Sequence, residues 1–164
     1  MVNEPAFRIE TPRVTDAAEV ARVHVQGWAE TYAHLLPSTF YDEATFLKRL
    51  EMWTAILTNP AQRSRVRIAR DSRIVGVVMA GPSTGKTSPR AIELHILYVL
   101  TSEHGTGVGQ ALLDAVIGTE PAQLWVAEDN PRANAFYRRN GFSPDGGRFV
   151  DADANDLVEV RLVR

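Results

Sequence analysis

The stretch from Glu93 to Gly109, ELHILYVLTSEHGTGVG, decides how this chain folds. Ile92, Leu94, Ile96 and Tyr98 alternate as the side chains of one strand face do. Gly105, Gly107 and Gly109 follow at alternate positions, and Val108, Leu112, Ala115 and Val116 then return at helical spacing. A strand running through such a turn into an amphipathic helix lets a ligand approach bare backbone. The helix start adds unpaired N–H groups with partial positive charge, and the two together suit a pyrophosphate. The spacing is not the G-x-G-x-x-G of dinucleotide-binding folds, and glycines before a helix also serve as plain turns.

On the C-terminal side, Leu124 to Val126 reads as a short apolar strand. Asn130 to Phe142, NPRANAFYRRNGF, reads as a helix opened by Asn130-Pro131 and stopped at Asn140-Gly141. Ala133, Phe136 and Tyr137 share its inner face, which core packing explains, although a buried tyrosine still needs a partner for its hydroxyl. Phe142 onward and Leu157 to Val163 read as two closing strands around a turn at Gly146-Gly147.

On the N-terminal side, Val66, Ile68 and Ile74 to Met79 are β-rich runs separated by Asp71-Ser72-Arg73, a hairpin signal. With Ile92 to Tyr98 they predict an antiparallel meander. Phe7 and Ile9 open with a short strand that ends at Thr11-Pro12. Thr15 or Asp16 then caps a helix carrying Val20, Val23, Gly27, Trp28, Thr31 and Leu35 on one stripe, which ends before Pro37. A second helix, from about Asp42 to Leu57, aligns Phe46, Leu50, Trp53 and Leu57 and stops at Asn59-Pro60. The order β, α, α, β, β, β, α, β, α, β, β predicts an α/β (α+β) fold, a mixed, mostly antiparallel sheet of about seven strands flanked by about four helices.

Composition narrows the function. The 164 residues are expected to form one domain spanning 1–164. With 18 Lys plus Arg against 20 Asp plus Glu, the net charge of −2 argues against a general nucleic-acid binder. The chain lacks cysteine, which excludes disulfides, thiolate metal sites and a Cys nucleophile, and no metal is implied. No basic head with an apolar run opens the sequence, and no stretch of about 18 apolar residues occurs, so a cytoplasmic location without membrane contact is the expectation. Residues 80–87, AGPSTGKT, satisfy a relaxed phosphate-loop pattern, and Leu124 to Asp129 could imitate its acidic strand. Pro89 and an alternating strand follow instead of a helix, so a flexible hairpin connection is expected there.

Glu93–Gly109 and Asn130–Phe142, in this order and spacing, strongly resemble the GNAT N-acetyltransferase family. Trp28, Tyr32, Leu35-Leu36-Pro37 and Trp53 are similar to the N-terminal helices of one branch of it. The resemblance implies acetyl-CoA as acyl donor, a primary amine as acceptor and direct transfer within a ternary complex. It implies that backbone N–H groups around Leu97, Tyr98 and Val99 hold the pantetheine arm. The segment of His104, Gly105, Thr106, Gly107, Val108 and Gly109 would cradle the pyrophosphate, with Asn130 and Tyr137 also contacting the donor. Thr101 stands where the family usually has Pro, and His104 where it has Gln or Arg, so His104 is expected to alter affinity. Homodimers are common in the family.

Two proton transfers define the chemistry. An amine of pKa about 10.4 is neutral roughly once in 2,500 at pH 7, a cost of about 4.6 kcal/mol before it can attack. Glu93 matches the family's general base, with His95 on the same strand face in reserve. Tyr137 matches its general acid for the departing thiolate. Trp28, Tyr32, Glu93 and His95 are the expected acceptor-side residues, with Leu36, Phe40 and Tyr41 near them, although aromatic residues at helical spacing also serve as core. A non-catalytic acyl-CoA-binding module is the alternative, and it would need neither Glu93 nor Tyr137. A covalent acyl-cysteine route is closed to this chain.

Overall fold

In the computed structural model, which describes residues 6–164, the chain runs β1 (Arg8–Glu10), α1 (Ala17–Tyr32), α2 (Glu43–Thr58), α3 (Pro60–Arg63), β2 (Val66–Arg70), β3 (Ile74–Pro82) and β4 (Ile92–Val99). It continues through α4 (Val108–Val116), β5 (Gln123–Ala127), α5 (Pro131–Arg139), β6 (Ser143–Asp151) and β7 (Leu157–Val163). Residues 1–5 of the expected domain span lie outside the described residues. The seven strands form one sheet in the order β1-β2-β3-β4-β5-β7-β6, antiparallel at every pairing except the parallel contact of β4 with β5. The fold class matches the expectation.

One face of the sheet is covered by α4 and α5. Val75, Val78, Leu94, Leu124 and Val126 meet Val108, Leu112, Leu113 and Tyr137 there. The other face meets α1 and α2, whose Val20, Val23, Trp53 and Leu57 close on Val66, Ile68, Ile74 and Val77. Full burial of side chains of this size contributes roughly 1.5–3 kcal/mol each. Gly27 sits where α1 crosses β4, because a Cβ there would lie 3.1 Å from the Tyr98 Cβ.

Local chemistry explains the departures from the predicted boundaries. Neither Thr15 nor Asp16 caps α1 through its side chain; Asp16 lies in a 3₁₀ turn, and its carboxylate takes the Arg13 N–H at 2.7 Å and Arg70 at 2.9 Å. Asn59 both ends α2 and starts the extra helix α3, its side-chain oxygen accepting from the N–H groups of Ala61 and Gln62 ahead of a proline at the first helical position. Gly146-Gly147 does not turn the last hairpin. Gly146, at φ +92°, forms a bulge inside β6 where the pairing with β7 slips between Pro144 and Arg148. The chain reverses instead at 152–156, where Asn155 and Asp156 adopt φ of 55° and 57°. Both sites can supply left-handed residues, so local sequence could not choose between them.

Candidate active site

The strand that carries the site changes phase partway along. Met79 pairs with Ile96 and Ala80 with Leu94, so His95 is an unpaired extra residue, a β-bulge. Ile92 and Leu94 therefore face α4, as do Leu97 and Val99 beyond the bulge, whereas Ile96 and Tyr98 face α1 and α2. The single alternating face expected of Ile92, Leu94, Ile96 and Tyr98 is thus split between two sides. β4 also parts from β5. Their register holds only at Glu93–Gln123 and Leu94–Leu124, so the backbone of β4 from the bulge to Val99 borders a widening gap. Leu97, Tyr98 and Val99, expected to hold the donor's arm, lie on that edge.

Glu93 and His95 meet at the root of this gap. Glu93 is only 7 % exposed, its Oε2 accepts from Gln123 Nε2 at 2.7 Å, and its Oε1 lies 3.3 Å from His95 Nδ1. His95 Nε2 is 3.2 Å from the Pro82 carbonyl. A carbonyl only accepts, so Nε2 carries the hydrogen and Nδ1 is the nitrogen turned to the carboxylate. The expected base and its reserve are therefore one unit, steadied by a glutamine on the neighbouring strand.

At the far end of β4 the glycine turn has the geometry of an anion cradle. Gly105 and Gly107 adopt φ of 83° and 92°, and a Cβ on either would meet nothing within 4 Å. The backbone N–H groups of Gly105, Gly107, Val108, Gly109 and Gln110 find no backbone acceptor among the described residues, the helix's first bond being Ala111 N–H to Gly107 O at 3.0 Å. Such converging donors at the start of a nine-residue helix fit a pyrophosphate in both shape and sign. Thr106 turns its hydroxyl inward to the Glu103 carbonyl at 2.7 Å. His104 folds back, its Nε2 donating to the Val99 carbonyl at 3.1 Å, and so braces the turn.

Three tyrosines gather along the gap. Tyr137 is 8 % exposed, its ring held edge-on between Phe136 and Phe142, and burial followed by the nearby Tyr32 pushes its phenol well above the ordinary value. Tyr98 is raised likewise by burial and by Tyr32, although its hydroxyl accepts from Trp28 Nε1 at 2.6 Å. Burial also raises Tyr32; the adjacent Asn130 amide offsets part of this and the charge of Glu159 adds to it. Asn130 Oδ1 caps α5 by accepting the Ala133 N–H at 3.1 Å, which leaves its NH₂ group for Tyr32 or a ligand. Behind Tyr98, His24 stacks at 4.7 Å and accepts from Trp53 Nε1 at 3.1 Å. Burial, then the charge of Arg49, lowers the pKa of His24 to about 3, so it stays neutral.

Several contributors were not legible in the sequence. Gln123 orients Glu93, and Asn134 ties the Ala127 and Asn130 carbonyls together, fixing the β5–α5 corner. Glu159 on β7 lies beside Tyr32, half-buried and pushed above the ordinary carboxylate value by burial and by Asp151. Residues 80–87 form no phosphate loop: β3 runs to Pro82, Ser83 N–H bonds the Ala91 carbonyl at 2.9 Å, and β4 follows without a helix.

Splayed parallel strands leading into a glycine cradle define an acyl-CoA-type transferase fold. The profile of the acetyltransferase (GNAT) family matches residues 26–142, and the chain belongs to that family. An uncharacterized N-acetyltransferase of Mycobacterium tuberculosis is 33 % identical over 162 residues, covering 90 % of this chain and 98 % of the other. Another, YuaI of Bacillus subtilis, is 25 % identical, covering 94 % and 87 %. PH1933 from Pyrococcus horikoshii superposes with a TM-score of 0.71 at 19 % identity, covering 96 % of this chain and 97 % of the other. The PaiA N-acetyltransferase from Thermoplasma acidophilum, solved with coenzyme A, does so with 0.66 at 17 %, covering 94 % and 97 %. The chain is an N-acetyltransferase with acetyl-CoA as donor. Among the described residues no helix is long and apolar enough to cross a membrane.

Proposed function

We propose that residues 1–164 form one N-acetyltransferase domain that moves the acetyl group directly from acetyl-CoA to a primary amine, with Glu93 and His95 receiving the amine's proton and Tyr137 serving the departing sulfur. The observation that carries this reading is the parting of β4 from β5 beyond Glu93, with the paired Glu93 and His95 at its root and the glycine cradle at its mouth. The donor's pyrophosphate binds in the 105–109 turn, on the N–H groups of Gly105, Gly107, Val108 and Gly109, with His104 bracing them, and its amide arm lies along Leu97, Tyr98 and Val99. Asn130 offers the donor its NH₂ group, which in the unliganded chain faces Tyr32.

The acceptor enters from the α1 side, past Trp28 and Tyr32, toward Glu93 and His95. The amine gives up a proton, passed through water to the Glu93–His95 pair, whose facing oxygen and nitrogen hold it between them. Its lone pair forms the C–N bond to the acetyl carbonyl as the C–S bond breaks, and the thiolate is met by the Tyr137 hydroxyl. Glu159 supplies negative charge on the acceptor side beside Tyr32. The enzyme works in the cytoplasm and without a nucleic-acid partner, the second of these supported by its net charge of −2. Homodimerisation belongs to the same proposal and is read by light scattering.

A thiol-release assay with acetyl-CoA against a panel of small amines, amino acids and peptides tests the function. Amine-dependent release of CoA is expected. Saturable acetyl-CoA binding with no release under any acceptor would instead make the chain a binding module.

A further inference from the structure

The turn that leads to the glycine cradle is capped from another part of the chain. The 3₁₀ turn Thr101–Glu103 follows Leu100, which has no side-chain atom able to accept its first N–H. Glu30 of α1, seventy-one residues away, supplies that acceptor: Oε2 takes the Thr101 N–H at 2.8 Å and the Thr101 hydroxyl at 2.9 Å. The other oxygen, Oε1, is held by Gln26 Nε2 at 2.7 Å, one helical turn earlier. Burial would raise this carboxylate, but the hydrogen bonds from Gln26 and Thr101 and the charge of His104 outweigh it and hold it below the ordinary value. It is therefore an anion throughout the neutral range.

The cradle needs such an anchor. A Cβ built at Gly105 or Gly107 meets nothing within 4 Å, so no side chain packs against either, and glycine loses more freedom on ordering than any other residue. Within the turn His104 and Thr106 bond only to residues 99–103, so the placement of the turn depends on α4 at one end and on the Thr101 segment at the other. We propose that Glu30 is a positioning residue for the donor: by capping Thr101 it holds the turn so that the N–H groups of Gly105 and of residues 107–110 converge on the pyrophosphate. This rests on the proposed reading of that turn. Because α1 also carries Trp28 and Tyr32, one helix both borders the acceptor side and fixes the donor cradle.

Calorimetric titration with CoA tests the inference on E30A, E30Q, T101P and the double variant E30A/T101P. Proline suits the first position of a helical turn, and Leu100, at ψ 144°, already has the extended backbone that must precede it. T101P thus removes both Glu30 bonds while stiffening the turn covalently. E30A is expected to raise the Kd for CoA about three- to tenfold, the loss of one or two exposed hydrogen bonds. E30Q should fall between wild type and E30A. The kcat at saturating acetyl-CoA and the acceptor KM should stay unchanged, while Tm falls by no more than the few degrees that losing a cap costs. T101P should bind nearly as wild type, and E30A should add nothing in that background.

An unchanged Kd in E30A overturns the proposal. So does a lowered one, which would mean that Glu30 merely repels the anion, and so do independent effects that add in the double variant. If the wild-type chain itself binds no CoA, the reading of the turn fails first and the role of Glu30 fails with it. A clamp failure alone shows as normal wild-type binding with an indifferent E30A.

Discussion

Replacing Tyr137 by Phe removes one hydroxyl and keeps the ring. That ring is held at 5.3 Å from Phe136 and 5.8 Å from Phe142, both edge-on, and neither contact uses the oxygen. The stability change should therefore stay within about 0.5 kcal/mol, a Tm shift of at most about 2 °C. The kinetic cost is different. An ordinary phenol near 10 is about 1.5 units less acidic than a thiol near 8.5, so full transfer to a finished thiolate is uphill by about 2 kcal/mol. Burial raises Tyr137 further and steepens that climb. The phenol must then act by a hydrogen bond to charge developing on sulfur, a contribution of about 10²-fold, or about 2.7 kcal/mol. In a thiol-release assay at saturating acetyl-CoA, Y137F is expected to lose about 10² in kcat with an unchanged KM for the donor. With its pKa raised, Tyr137 stays protonated from pH 6 to 9, so its own ionisation produces no fall in wild-type rate across that range. Full kcat in Y137F at every pH would refute the acid role. A large loss accompanied by a Tm drop of several degrees would assign the effect to packing.

Three further outcomes are expected. Gly107→Ala forces a side chain into a φ of 92°, at roughly 1–2 kcal/mol, and should weaken CoA binding measured by calorimetry while leaving strand content by circular dichroism intact. His24 is about 3 in the folded chain against 6.5 unfolded, so its contribution is whole above pH 6.5 and falls by about 1.4 kcal/mol per unit as pH drops toward 3. His24→Phe leaves the Trp53 N–H unpaired and should be less stable at pH 7 by about 1–3 kcal/mol, yet lose less between pH 7 and 5 in urea unfolding; parallel pH curves would contradict this. Glu159→Gln should raise the acceptor KM without altering the Kd for CoA, and an altered Kd with unchanged acceptor kinetics would remove Glu159 from the acceptor side.

What was legible in the sequence was local. The glycine turn entering α4 and the Asn130-Pro131 start of α5 each declare themselves within a few residues, since left-handed backbone and capping select residue types directly. The partners of the site did not. Gln123 reaches Glu93 across thirty residues and Glu30 reaches Thr101 across seventy-one, contacts that the sheet order creates and no window of sequence contains. The bulge was hidden for the opposite reason: the run from Ile92 to Tyr98 alternates so regularly that it imitates an unbroken strand.

That unpaired His95 sets a parity rule for the strand. Any substitution at residue 95 leaves the lining of the gap in place, but deleting the residue would rejoin the two halves in phase. Leu97 and Val99 would keep facing α4 and Tyr98 would keep facing α1, because Leu94 and Ile96 already lie on opposite sides; what the deletion removes is the imidazole beside Glu93. A one-residue change beyond the bulge, between Ile96 and Val99, would instead reverse the faces of the residues after it, so the length of that half of β4 is under tighter physical constraint than the bulge itself.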